Sequence, residues 1–172
     1  MNRKFIMSLL ILLLVVSLIL CSCSVGGLSP IMFNDDDKKA DARFEQVLAA
    51  IEKEDKDALK SMFSKQAIDD SENFDDNMDV LFGFLKGTVV SWEESSGPTV
   101  ENYNYQGHKY KKVSSYYFVT TNEQKYYFLL DDNPIDTDHP DNVGLYLLLV
   151  VKAEDRLEVY DRDQKIIYDG DK

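Results

Sequence analysis

The first half of the chain carries apolar residues at helical spacing. Within residues 40–54 they recur at i, i+3, i+4 and i+7, the pattern of a helix that buries one face. Residues 54–68 and 75–87 repeat the spacing, and Gly87 stands where a left-handed helix cap is expected. The three stripes comprise Phe44, Val47, Leu48 and Ile51, then Leu59, Met62 and Phe63, then Met78, Leu81, Phe82 and Leu85. The pattern predicts three N-terminal helices that pack in one core.

After Gly87 the chain changes to short runs of β-branched and aromatic residues, and all ten tyrosines lie beyond residue 102. Turn residues separate these runs at "SSGP", "QG", "TNE" and "AED". The predicted strands are 88–94, 100–106, 109–121, 124–131, 143–152, 156–161 and 165–169. Helices followed by hairpins predict an α+β fold, in which the helices pack on one side of an antiparallel sheet.

Two aromatic triplets, "YYF" at 116–118 and at 126–128, flank a polar turn. A turn centred between Asn122 and Glu123 pairs Tyr116 with Leu129 and Phe118 with Tyr127 on one face of the sheet. The other face then carries Tyr117, Val119, Tyr126 and Phe128. Both faces are apolar, so the face away from the helices is predicted to be covered by residues 157–172, by a second copy or by another protein. A solvated tyrosine face stays open as an alternative.

The N-terminus has the features of an export signal. A basic start precedes an apolar run from Phe5 to Leu20, which is about as long as the longest secretory signal cores and shorter than a membrane-spanning helix. The following "LCSC" resembles a bacterial lipobox, with Leu20 and Ser22 placed three and one residues before Cys23. This resemblance implies a signal peptide at residues 1–22 and lipidation of Cys23. It also implies that the protein is anchored on the extracytoplasmic face of the cell membrane of a Gram-positive bacterium. Two alternative interpretations stay open: the apolar segment is an uncleaved membrane anchor, or the two cysteines are incidental and carry no lipid.

Residues 23–39 are predicted to be a flexible tether, and residues 40–172 a single domain. The formal charge is −12, and loss of residues 1–22 with Arg3 and Lys4 would make it −12 − 2 = −14. This charge argues against nucleic-acid binding and against adsorption to anionic lipid, whereas basic partners stay open. Both cysteines lie before residue 24, so the predicted domain has no internal disulfide.

The order of elements resembles a known superfamily. The stretch "LAAIEKEDKDALKSMFSKQAI", a third helix and a long meander are similar to the nuclear-transport-factor-two-like superfamily, the cystatin-like cone. The stretch "KYYFLLDDNPIDTDHPDNVGLYLLLVVKAED" resembles an uncharacterised lipoprotein family, mainly of low-GC Gram-positive bacteria, that carries this cone; the resemblance covers residues 41–155. It implies a strongly bent sheet that wraps the helices and leaves a pocket, and dimers through the sheet's outer face in many members. It implies no reaction.

The candidate site residues are aromatic. Trp92, the only tryptophan, is predicted to line a pocket or to belong to the ordinary core, and Tyr116, Phe118 and Tyr127 are candidate pocket or interface residues. The acidic loop 131–142 has oxygens enough for calcium, although its spacing fits no known calcium motif and a solvated loop stays open. No glycine-rich phosphate loop or nucleophile motif is present, so no cofactor and no catalytic residue is predicted.

Together these features predict a membrane-tethered extracytoplasmic binding or accessory module whose partner is a small ligand or a protein. One alternative is a pocket enzyme that performs acid–base chemistry on an apolar substrate, with a buried carboxyl beside a tyrosine. The other is a structural homodimer that joins through the sheet face.

Overall fold

A computed structural model describes residues 35–161 and shows an α+β fold with four helices and one four-stranded antiparallel sheet. The helices are α1 (Asp35–Glu52), α2 (Lys56–Met62), α3 (Lys65–Asp70) and α4 (Phe74–Phe84). The strands are β1 (Val89–Tyr105), β2 (His108–Thr121), β3 (Lys125–Asp136) and β4 (Gly144–Lys152), in the spatial order β1-β2-β3-β4. Two 3₁₀ segments, Pro140–Asn142 and Ala153–Asp161, flank β4.

The predicted second helix is two helices, because the chain breaks between Phe63 and Ser64. Phe63 ends α2 in an extended conformation, and the Ser64 hydroxyl caps α3 by accepting the Ala67 N–H at 3.1 Å. The Ser64 N–H donates to the Leu145 carbonyl at 2.8 Å, which ties the break to the start of β4. The number of helices was therefore predicted wrongly, since a buried serine inside an apolar stripe was read as helix interior.

Acidic residues stabilise the N-terminal ends of α2 and α1. Asp55 caps α2, because its side chain accepts the Ala58 N–H at 2.9 Å. α1 begins at Asp35, so residues 35–39, which were assigned to the tether, are helical. Asp35, Asp36 and Asp37 fill its first turn, where negative charge stabilises the positive end of the helix.

The strands are fewer and longer than predicted. β1 runs through "SSGP" without a turn, because bulges near Ser96 absorb Gly97 and Pro98 while the pairing with β2 continues. β3 continues to Asp136, so half of the predicted acidic loop is strand. Residues 156–161, predicted as a strand, lie in the second 3₁₀ segment. The predicted strand 165–169 lies outside the described residues, as do the signal peptide and Cys23.

The predicted register of the aromatic hairpin is confirmed, with Tyr116 opposite Leu129 and Phe118 opposite Tyr127. Tyr117, Val119, Tyr126 and Phe128 on the inner face form the core with the helical stripes. Phe44 of α1 stacks on Tyr117 with 3.9 Å between ring centroids, a contact that contributes about 1 kcal/mol beyond its buried area.

The outer face of the sheet carries a second apolar cluster. It consists of Tyr116, Phe118, Tyr127, Leu129, Leu149 and Val151. Tyr127 is 2% exposed and Val151 7%, whereas Tyr116, Phe118 and Leu129 are only partly buried, so this face is covered in part. The 3₁₀ segment 153–161 contacts β3 and β4, and Arg156 lies 5.4 Å from the Phe118 ring. The chain itself therefore supplies part of the cover.

Among the helices of residues 35–161, none combines the length and the apolar content needed to cross a bilayer.

Candidate functional site

A small pocket opens between the N-terminal half of α1, the first half of β2 and the second half of β3. We call it the α1 pocket. Its volume is about 110 Å³. Ala40, Val113 and Ser115 lie in its wall with Pro134 and Ile135. Five charged side chains complete it: Asp36, Lys39, Arg43, Lys111 and Asp132. Because a water molecule takes about 30 Å³, a group of about four non-hydrogen atoms fits.

Two ion pairs close the pocket by joining α1 to the sheet. Arg43 Nε donates to Asp132 Oδ2 at 3.1 Å, and Lys111 pairs with Asp36. The four side chains are 14–30% exposed, so both pairs are largely removed from water. Each pair is neutral as a unit, and Lys39, the fifth charged residue of the wall, pairs with Asp35 on the same helix. The charged walls are therefore already paired, which suits a small polar guest rather than a second large ion.

Asp132 has hydrogen-bonding capacity that the protein does not use. Its Oδ1 atom is buried and has no hydrogen-bond partner among the described residues. A buried polar atom without a partner costs about 1–3 kcal/mol, so such atoms are rare in folded proteins. Asp132 lines the α1 pocket, so this oxygen is unused hydrogen-bonding capacity in a residue of the pocket wall.

The two neighbouring aspartates at 131 and 132 point to opposite faces of the sheet. A register shift in the β3–β4 pairing falls between them. Asp131 accepts from the Ser114 hydroxyl at 2.6 Å and pairs with Lys112 at 2.9 Å, whereas Asp132 meets Arg43. Strand alternation thus places only one of these two neighbours, Asp132, in the pocket, where Asp36 of α1 is the other carboxylate.

Asp136, another buried carboxylate of the predicted calcium loop, caps the turn after β3. It accepts the N–H groups of Asp138 and His139 at 3.1 and 2.9 Å, and the Asn142 amide at 3.1 Å. Burial alone would raise the pKa of Asp136, but these hydrogen bonds outweigh it and hold the pKa below its usual value. In the described part of the chain, no three His, Cys, Asp or Glu side chains are grouped to hold a metal ion. The calcium interpretation thus gains no support.

A tyrosine–carboxylate pair lies on the same side of the sheet. The Tyr117 hydroxyl donates to Asp41 of α1 at 3.1 Å, and Glu94 of β1 is the β-sheet partner of Tyr117. Burial, with the Asp41 carboxylate next in importance, raises the pKa of Tyr117. Burial and the charges of Asp41 and Asp37 also raise the pKa of Glu94. The raised pKa of Tyr117 keeps its hydroxyl neutral and able to donate a hydrogen bond, and the raised pKa of Glu94 makes its carboxylate easier to protonate.

The aromatic residues singled out from the sequence lie elsewhere. Trp92 packs edge-on against Phe44 and Tyr117 at 5.2 and 5.6 Å, so it belongs to the core's margin. Tyr116, Phe118 and Tyr127 come together on the outer face. None of the four is among the residues that line the α1 pocket. Cys23 lies outside the described residues.

The charged residues of the α1 pocket were missed by the sequence reasoning. Arg43 falls on the apolar stripe of α1, three residues after Ala40 and four before Val47. A charged residue at such a position signals a buried ion pair. Its partner Asp132 could not be identified from the sequence, because it lies 89 residues away.

Comparison with known families gives one match. A family described as "Domain of unknown function (DUF5104)" matches residues 46–153, more than half of the chain. No curated protein matches the sequence.

Proposed function

We propose that this chain, which belongs to the DUF5104 family, is a lipid-anchored extracytoplasmic module. It binds a small hydrogen-bond donor, such as a primary amine, in the α1 pocket. In this proposal the helices and the sheet form a cystatin-like cone, and the α1 pocket is its cavity. Cys23 carries the anchor, and the segment before α1 holds the domain off the membrane.

The unused oxygen of Asp132 is the observation that carries the binding proposal. Oδ2 of the same carboxylate is held by Arg43, so Oδ1 is fixed in place before any guest arrives. A preorganised acceptor loses little conformational freedom on binding, which favours affinity. The pocket volume limits the guest to a group of the size of ethanolamine.

An NMR titration of the ¹⁵N-labelled protein tests the pocket. We expect ethanolamine to shift the amide signals of Val113 and Ser115, and acetate, of similar size and opposite charge, to leave them unchanged. Asp132→Asn should abolish the ethanolamine shifts. Asp131→Asn is the matched control, because it removes the neighbouring carboxylate from the other face and should respond as the wild type does. Equal shifts in Asp132→Asn and the wild type would contradict the proposal.

The anchor is tested separately in cells fed a clickable palmitate analogue. Wild-type protein and the control Cys21→Ala should be labelled, and Cys23→Ala should not, because a diacylglyceryl group would be attached to Cys23 alone. Two acyl chains give stable membrane attachment, so Cys23→Ala should also leave the membrane fraction. Labelling that persists in Cys23→Ala would refute the anchor and leave the pocket proposal untouched.

A second candidate function, acid–base catalysis, is favoured by one observation. Tyr117 donates to Asp41 and faces Glu94, which is the carboxyl–tyrosine arrangement such chemistry uses. Against it, Phe44 and Trp92 pack directly on the Tyr117 ring, so side chains fill the space that a substrate would need there. Turnover of an apolar carbonyl compound that falls in Tyr117→Phe and in Glu94→Gln would favour this second function over the first.

A further inference from the structure

A second concavity of about 540 Å³ lies between the C-terminal end of α4 and the turn that joins β2 to β3. We call it the α4 groove. Val80, Gly83 and Phe84 of α4 form one wall, and Lys86, Glu123 and Lys152 place charges around it. This volume falls within the range of about 300–1,000 Å³ that is usual for small-molecule sites.

Hydrogen bonds fix the two walls of the groove to each other. The buried Tyr126 hydroxyl accepts the Lys86 N–H at 2.8 Å and donates to the Phe84 carbonyl at 3.2 Å, which ties the end of α4 to β3. The Thr88 N–H donates to the Asn122 side chain at 2.8 Å, which ties the following residues to the β2–β3 turn. The groove is therefore part of the fold, and a guest need not organise it.

Two lysines in the groove are unpaired. Lys86 and Lys152 make no ion pair or side-chain hydrogen bond with any residue of the range 35–161. Among the other described lysines, seven bind an acidic side chain and three, Lys38, Lys53 and Lys109, do not; the seven are Lys39, Lys56, Lys60, Lys65, Lys111, Lys112 and Lys125. In a chain of net charge −12, two unpaired lysines against one carboxylate, Glu123, make this groove locally positive.

Gly83 has no structural role that requires glycine. It lies inside α4 with an ordinary backbone conformation, and a Cβ added there would meet nothing within 4 Å. Glycine inside a helix is less favourable than alanine by about 1 kcal/mol, so Gly83 costs α4 some stability. The effect of the missing side chain is to leave the α4 groove open beside Val80 and Phe84.

We propose that the α4 groove binds a small amphiphilic carboxylate. Its apolar body lies over Gly83 against Val80 and Phe84, and its carboxylate lies between the ammonium groups of Lys86 and Lys152. Charge complementarity selects an anion, and the apolar wall of α4 selects one with a hydrophobic body. This site is separate from the α1 pocket and does not depend on it.

A ¹⁹F NMR titration tests the proposal, with 4-fluorophenylacetate as the probe and the full chain in phosphatidylcholine nanodiscs. Nanodiscs without protein give the blank. The double variant Lys86→Gln/Lys152→Gln should weaken binding about ten-fold, the effect of losing two exposed charge-assisted contacts. Glu123→Gln should tighten binding about two-fold. Lys53→Gln removes an exposed lysine outside the groove and should bind as the wild type does.

Gly83→Leu separates the groove from general electrostatics. The leucine side chain would occupy the space over Gly83, so binding should fall more than ten-fold while the urea midpoint stays at least as high as in the wild type. The cation 4-fluorophenethylammonium should bind at least ten-fold more weakly than the anion. Three results would overturn the proposal: wild-type affinity in Gly83→Leu, wild-type affinity in the double lysine variant, or equal affinity for the cation.

Discussion

Gly144 begins β4 where this strand passes closest to the break between α2 and α3. Its φ is +125°, and a Cβ built there would lie 2.8 Å from Ser64 N, 3.0 Å from the Met62 carbonyl oxygen and 3.1 Å from Phe63 C. All three are backbone atoms, so no side-chain rotation relieves the contact. We therefore predict that Gly144→Ala strongly destabilises the protein.

The magnitude has two parts. A non-glycine residue held at this φ costs about 1–3 kcal/mol. Inserting a methyl group against fixed atoms costs about 1–3 kcal/mol more, partly through lengthening the 2.8 Å hydrogen bond from the Ser64 N–H to the Leu145 carbonyl. The two parts sum to about 2–6 kcal/mol. The central part of that range, about 3–5 kcal/mol, is a large share of the roughly 5–15 kcal/mol that stabilises a typical domain.

Urea unfolding followed by fluorescence measures this loss, because Trp92 is the only tryptophan and packs against the core. Gly107→Ala is the matched control for backbone strain, since φ is +92° there and nothing lies within 4 Å of the added Cβ. Gly97→Ala, with open space and an ordinary φ, controls for the substitution itself. We expect losses of about 3–5, 1–2 and less than 0.5 kcal/mol, respectively. Equal losses in Gly144→Ala and Gly107→Ala would refute the role of the close approach.

Three further predictions follow from contacts described above. Asp136→Ala should cost about 2 kcal/mol through lost hydrogen bonds to a charged acceptor. The pKa of Asp136 is lower in the folded than in the unfolded state. The contribution of Asp136 to stability is therefore complete above the unfolded pKa of about 3.9 and is lost as the pH falls through the folded pKa. The urea midpoint of the wild type should therefore drop more steeply below pH 4.5 than that of Asp136→Asn, and parallel curves would contradict this. Arg43→Met should cost about 2 kcal/mol by leaving Asp132 without its donor, and adding Asp132→Leu should restore part of the loss in a double-mutant cycle; simple additivity would show that the pair is not coupled. Light scattering should give a monomer, because Tyr127, Leu149 and Val151 are already covered within one chain, whereas a dimer would favour the sheet-face homodimer.

Local patterns were sufficient to predict the core of this fold. The stripe of α1 and the register of the β2–β3 hairpin follow from spacing within a few residues, and both are confirmed. The errors arose where tertiary contacts override local preference. Gly97 and Pro98 continue a strand because β2 pairs with it on both sides of a bulge, and Ser64 ends a helix because Leu145 takes its N–H.

The candidate sites were less predictable than the fold, for a physical reason. The α1 pocket depends on the contact of Arg43 with Asp132, and the α4 groove on Lys86 and Lys152 lining one concavity. In both cases residues far apart in sequence come to one place, and an additional helical turn or bulge would separate them. Spacing within an element identifies which side chains share a face, but it does not identify which residue of another element lies opposite.

The strand order β1-β2-β3-β4 has a consequence for how the chain assembles. Every strand pairs with its neighbour in sequence, and the two hairpins close through Gln106–Gly107 and through residues 122–124. Short loops lose little entropy on closure, so these hairpins are expected to form rapidly. Each strand can pair with the one before it as the chain elongates, and β4 then ties the sheet to the α2–α3 break through the hydrogen bond from the Ser64 N–H to the Leu145 carbonyl.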